Sequence, residues 1–101
     1  MKITEMNQDG TVTIKPEGWL DTASSPELGE RVEAITDANA IVLDFKMVEY
    51  MSSSGLRCVL AAHNKAKSLG ATFSVVNVCP TVMNIFKMTN IDKKLDIRLS
   101  V

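Results

Sequence analysis

Cysteine is scarce: Cys58 and Cys79 are too few for a disulfide scaffold, so reduced thiols are expected. No apolar run approaches the ~20 residues that a membrane span needs. The opening Met1-Lys2-Ile3-Thr4-Glu5 lacks the apolar stretch of a signal peptide. Neither sign of charge dominates, with 11 Lys+Arg against 12 Asp+Glu and a formal net charge of −1. Without a basic face, nucleic acid is not an expected partner. Together these absences point to the cytoplasm. No repeat, linker or low-complexity stretch divides the chain.

Catalytic constellations are missing as well. His63 is the single histidine, about ten residues beyond the serine cluster Ser52-Ser53-Ser54 on the same expected helix. That separation is ~15 Å along the axis, whereas a general base must come within roughly 3 Å of its proton. Cys58 and His63 diverge by ~140° on a helix, and Cys79 belongs to another element, so the three or four converging ligands of a metal site are not expected. Neither GxxxxGK[ST] nor GxGxxG occurs. The expectation is a protein with no enzyme activity, no cofactor and no metal.

What is present is an ordinary globular composition: 101 residues, 46% hydrophobic and 23% charged. This predicts one domain over residues 1–101. Lys2–Met6 and Thr11–Ile14 alternate around Asn7-Gln8-Asp9-Gly10 and predict a hairpin. Leu28, Val32 and Ile35 form one helical stripe from about Ser25 to Thr36. Its start fits either a Ser24–Glu27 capping box or a Ser25 cap followed by Pro26. Ile41–Phe45 is nearly continuous in apolar residues and predicts a strand covered on both faces. A second helix is expected from about Ser54 to Leu69, stopped by Gly70. Thr72–Val78 then predicts a strand. Pro80 opens a third helix with Val82, Ile85, Phe86 and Thr89 on one side, and Leu95–Leu99 alternates as a last strand. The fold class is therefore α/β: a small mixed sheet, an N-terminal hairpin followed by βα units, with helices packed on it. An alternating last strand leaves a monomer or a weak, edge-paired homodimer open.

The segment Glu49-Tyr50-Met51-Ser52-Ser53-Ser54-Gly55-Leu56 lies between a strand and a helix. One reading is a serine N-cap. Another is a modification site, since the free N–H groups and dipole at a helix N-terminus accommodate phosphate. A phosphoserine adds about −1.5 to −2 charges at pH 7 and would alter what docks there. Arg57 either leans toward such a phosphate or is simply solvated. Gly55, Cys58, Val59, Ala62, Ala66 and Leu69 form a stripe suited to packing on a sheet. Leu56, Leu60 and His63 lie roughly 100° away, packing under the third helix or forming a docking surface beside the serines.

Ile41-Val42-Leu43-Asp44-Phe45, Val48–Leu56, Ala66-Lys67-Ser68-Leu69-Gly70, Gly18-Trp19-Leu20-Asp21 and Val76–Val82 run in the order of a STAS domain. The chain resembles the stand-alone, SpoIIAA-type anti-sigma factor antagonists over nearly its whole length. The resemblance implies binding to an anti-sigma factor that is also a GHKL-type serine kinase, freeing a sigma factor. The kinase would phosphorylate a serine at the start of helix two, and a phosphatase would reset the switch. In the family pattern Asp-Ser-[Ser/Thr]-Gly-Leu the first serine carries phosphate, which is Ser53 here. Ser52 stands where the family usually has Asp, which could weaken kinase recognition, move the phosphate to Ser52 or Ser54, or mark a member that is not phosphorylated. The implied partner surface comprises Asp21, Ser52, Ser53, Ser54, Gly55, Leu56, Arg57 and Leu60. Asp21 could equally be a turn residue. A non-phosphorylated adaptor subunit of a transporter or signalling complex is the alternative.

Overall fold

Asp9 and Gly10 both adopt positive φ, 51° and 83°, the two-residue turn whose twist suits a hairpin. In the computed structural model, which describes residues 1–100, this turn joins β1 (Lys2–Gln8) to β2 (Thr11–Leu20). The antiparallel register runs from Gln8↔Thr11 to Lys2↔Glu17. β2 is longer than its alternation alone predicts, because it changes neighbour halfway. Its first half pairs in parallel with β3 (Ala40–Asp44), and its second half with β4 (Met47–Met51). The sheet continues through β5 (Thr72–Val78) to β6 (Asp96–Leu99), in the order β1-β2-β3-β5-β6 with β4 alongside β2. The mixed α/β class expected from the sequence is the one observed.

Several boundaries and contacts differ from expectation. α1 spans Ser25–Glu33 and stops short of Thr36. The Ile35 N–H turns back to the Val32 carbonyl, tightening the exit, while Ile35 itself stays buried. Ser24 occupies the N-cap position and Pro26 the first turn, but no side chain caps this helix, so neither capping arrangement forms. The Ser24 hydroxyl is committed elsewhere, as described below. β3 is covered on one face only. Ile41 and Leu43 are fully buried beneath the helices, whereas Val42 and Asp44 are half-buried on the opposite face.

β4 is not foreseen by alternation because it does not alternate. Val48 and Met51 are buried while Glu49 and Tyr50 are both exposed. The register jumps from Gly18↔Val48 to Trp19↔Tyr50, leaving Glu49 as the extra residue of a bulge. α2 spans Ser53–Ser68, and Gly70 follows with φ 70°, the left-handed stop that glycine permits. α3 spans Pro80–Met88, and Phe86 on it stacks against Phe45, ring centroids 6.5 Å apart. A single 3₁₀ turn, Ile91–Lys93, leads into β6. Among the described residues, no helix is long and apolar enough to cross a membrane.

Candidate functional site

Parallel pairing of β2 with β4 sets the C-terminal ends of both strands side by side. The β2–α1 loop leaves from Leu20, and α2 begins after Met51, its register partner. The two connections are tied at once: the Ser52 N–H donates to the Leu20 carbonyl at 2.9 Å. Gly55, in the first turn of α2, sits directly on these strand ends. A Cβ there would lie 2.6 Å from the Leu20 carbonyl oxygen and 2.7 Å from Met51 Cγ. The glycine is what lets the helix start so close to the sheet.

Asp21 is the hub of the neighbouring loop. Its Oδ1 accepts from the backbone N–H of Ala23 and of Ser24, both at 3.1 Å. The Ser24 hydroxyl accepts from the Asp21 N–H at 3.0 Å and directs its proton at the Trp19 carbonyl (2.6 Å) and Asp21 Oδ1 (3.1 Å). These bonds, the Ser24 backbone N–H first and the Ser24 hydroxyl next, hold the Asp21 carboxyl below its ordinary value of 3.8. A depressed folded-state value means stability that is present above the unfolded value and lost as pH falls through the folded one. Wild type is therefore expected to melt higher than Asp21→Ala at pH 7, with the gap closing as pH drops below the ordinary carboxylate range. Melting curves of both proteins from pH 7 to pH 2 check this; a gap independent of pH would detach the carboxylate from the turn. The turn role weighed for Asp21 is thus observed, and it also shapes the loop beside the serines.

The three serines are not equivalent. Ser52 takes the N-cap position in extended backbone, yet no side-chain cap forms on α2. Its hydroxyl makes only a long 3.5 Å contact to the Leu20 carbonyl. The serine-cap reading therefore holds for position and not for the hydroxyl bond. Ser54 is half-buried; its Oγ lies 3.0 Å from the Thr22 hydroxyl and accepts from Arg57 Nη2 at 3.2 Å. Arg57 thus leans on Ser54. Ser53 is exposed, and its hydroxyl has no hydrogen-bond partner among the described residues. The first turn of α2 carries no acidic side chain.

Leu56 and Leu60 are half-buried against the core. His63 sets its ring edge-on to Phe73, centroids 5.7 Å apart, with Nδ1 buried and unpartnered. Cys58 and Cys79 are free thiols. Burial pushes the Cys58 thiol up to about 11, so it stays protonated and unreactive near neutral pH. Two features escaped sequence reasoning. Thr22 touches Ser54 across 32 positions of sequence, and Trp19 and Tyr50 meet as a tilted ring pair at the ends of β2 and β4. Both depend on the β2–β4 pairing, whose only sequence trace is the non-alternating Val48–Met51.

A mixed sheet with helices on one face, and a serine-bearing helix start seated on its strand ends, defines a small mixed α/β class. Residues 3–101 match the family model described as STAS domain, and the chain belongs to that family. The anti-sigma factor antagonist BtrV of Bordetella bronchiseptica is 26% identical over 91 residues, 88% of this chain and 78% of that protein. The crystal structure of an anti-sigma factor antagonist from Mycobacterium paratuberculosis superimposes with a TM-score of 0.86 at 24% identity, covering 96% of this chain and 84% of that one. The antagonist SpoIIAA in its unphosphorylated form gives 0.80 at 21% identity, covering 95% and 87%. Bacillus SpoIIAA in its phosphorylated form gives 0.74 at 19% identity, covering 95% and 90%.

Proposed function

We propose that this STAS domain is a non-enzymatic, cytoplasmic anti-sigma factor antagonist. It binds an anti-sigma factor that is a GHKL-type serine kinase and is switched off by phosphate on Ser53, which a phosphatase removes. The partner surface of this reading is Asp21, Ser52, Ser53, Ser54, Gly55, Leu56, Arg57 and Leu60. The names of the relatives support the class of function, and the phosphorylated form of SpoIIAA supports the kind of switch.

The observation that carries the choice of acceptor is the contrast between the serines. The Ser53 hydroxyl is exposed and uncommitted, while Ser54 is held by Thr22 and Arg57. A phosphate on Ser53 would meet the N-terminal N–H groups and dipole of α2. Arg57, one helical turn on, would exchange its Ser54 contact for a charge-assisted one. The fold absorbs the charge, and a docked partner does not. Ser52 in place of the family Asp removes a negative neighbour from the acceptor, which favours the adaptor as the second reading.

The test isolates the kinase that the wild-type protein retains from host lysate and adds ATP. One phosphate is expected on the peptide containing Ser52–Ser54, at Ser53, with release of the complex. Ser53→Ala is expected to stay unmodified and bound. A complex that persists through ATP with no phosphate would establish the adaptor instead.

A further inference from the structure

The ends of β2 and β4 carry an aromatic pair that the fold leaves in water. Trp19 and Tyr50 are 61% and 41% exposed, with ring centroids 5.4 Å apart at 54°. Met47, on the same strand, is 45% exposed. Strand alternation would turn Tyr50 to the same side as buried Val48. The unpaired Glu49 resets the phase, so Tyr50 joins Trp19 outside and Met51 goes into the core. Buried aromatics contribute strongly to a fold, and each ring can remove roughly 150–250 Å² from water. Here the backbone departs from regular geometry in a way that keeps Tyr50 out, beside a Trp19 that β2 already turns outward.

The pair is continuous with the serine surface. Leu20 and Met51 follow it on the two strands, and the Trp19 carbonyl receives the Ser24 hydroxyl that braces Asp21. Three carboxylates stand near the pair along the chain, one of them partnered by Lys2. Glu49 is exposed in the bulge without an ion pair among the described residues, Asp21 lies two residues beyond Trp19, and Glu17, two before it, is paired with Lys2 at 3.9 Å. An exposed aromatic pair with the unpaired Glu49 carboxylate adjacent to Tyr50 on the strand suits a guanidinium, which stacks on a ring and pairs with the acid. We infer that Trp19 and Tyr50 are the docking anchor for the anti-sigma factor, receiving an arginine-bearing apolar surface of that partner. This rests on the function proposed above and adds where and through what chemistry the partner is held.

Trp19 is the only tryptophan of the chain, so its emission reports this one spot. The probe is the purified anti-sigma factor retained by the wild-type protein. Titration is expected to shift Trp19 emission to the blue. Trp19→Ala is expected to weaken binding about 30-fold with an unchanged melting temperature, as interface anchors do. Trp19→Phe should recover most of the loss, and it keeps the comparison valid if the alanine variant folds poorly. Unshifted emission with full affinity in Trp19→Ala, while Ser53→Asp still releases the partner, would overturn the anchor and leave the proposed function standing. A blue shift that grows with the protein's own concentration would mean that a second copy covers the pair, and would overturn it too. If wild type binds no anti-sigma factor, both readings fall.

Discussion

Gly55→Ala is expected to destabilise the protein by about 2 kcal/mol, against the usual direction of such a change. Alanine gains up to about 1 kcal/mol over glycine inside a helix. The new methyl, however, would lie 2.6 Å from the Leu20 carbonyl oxygen, 2.7 Å from Met51 Cγ and 3.0 Å from Leu20 Cγ. The carbonyl is fixed by its strand and by the Ser52 N–H at 2.9 Å. Relief requires α2 to lift from the sheet, an overpacking cost of about 1–3 kcal/mol, with the loss of a hydrogen bond worth about 1 kcal/mol. Strain therefore exceeds propensity. Gly29, in the middle of α1, is the internal control: a Cβ there meets nothing within 4 Å, so Gly29→Ala should stabilise by about 0.5–1 kcal/mol. In a domain of this size the Gly55 variant should melt roughly 10 °C lower. Thermal unfolding of both variants checks the pair. Shifts of opposite sign, the larger at Gly55, would confirm the close approach; two stabilised variants would mean that α2 stands off the strands.

Most of the fold was legible because most of its signals are local. Asp9-Gly10 encodes the hairpin turn, Gly70 ends α2 and Pro80 opens α3, each through the backbone angles that those residues allow. Errors arose where a neighbour decided the outcome. Ile41–Phe45 looks fit for burial on both faces, and only the placement of all three helices on one side leaves Val42 and Asp44 half-open. Met47–Met51 carries a bulge, and a bulge erases the period by which a strand is recognised from sequence.

The site was legible in its parts and not in its assembly. Ser53-Ser54-Gly55 at a helix start and Asp21 after a strand are visible in the chain. That they meet follows from the parallel pairing of β2 and β4, which no spacing announces. The contact of Thr22 with Ser54 is of the same kind. Without it the three serines look alike, and the distinction between a held hydroxyl and a free one disappears. Trp19 lies beyond the reach of β1, whose last pairing is at Glu17, two residues short of it, and no spacing in the chain announces that.

Ser53→Asp should separate stability from binding more sharply than any other single change. Ser53 is exposed and bonded to nothing among the described residues, and the first turn of α2 has no acidic side chain. A carboxylate there interacts with the helix dipole by about 0.3–1 kcal/mol in the favourable sense, so the melting temperature should hold or rise slightly. Binding should fall by more than about 100-fold, since a charge desolvated in an interface without a counter-ion costs several kcal/mol. Aspartate adds one charge where phosphate adds about −1.5 to −2, so the substitution understates the natural switch. Ser54→Asp is the informative contrast. Its carboxylate would fall beside Arg57, which already reaches that position at 3.2 Å, and the pair would neutralise itself before a partner arrives. Only a few-fold loss is expected there. Calorimetry of wild type, Ser53→Asp and Ser54→Asp against the purified anti-sigma factor distinguishes the cases. Full affinity in Ser53→Asp would sink the switch, and equal losses at both positions would make the charge of the helix start, rather than Ser53 itself, what the partner reads.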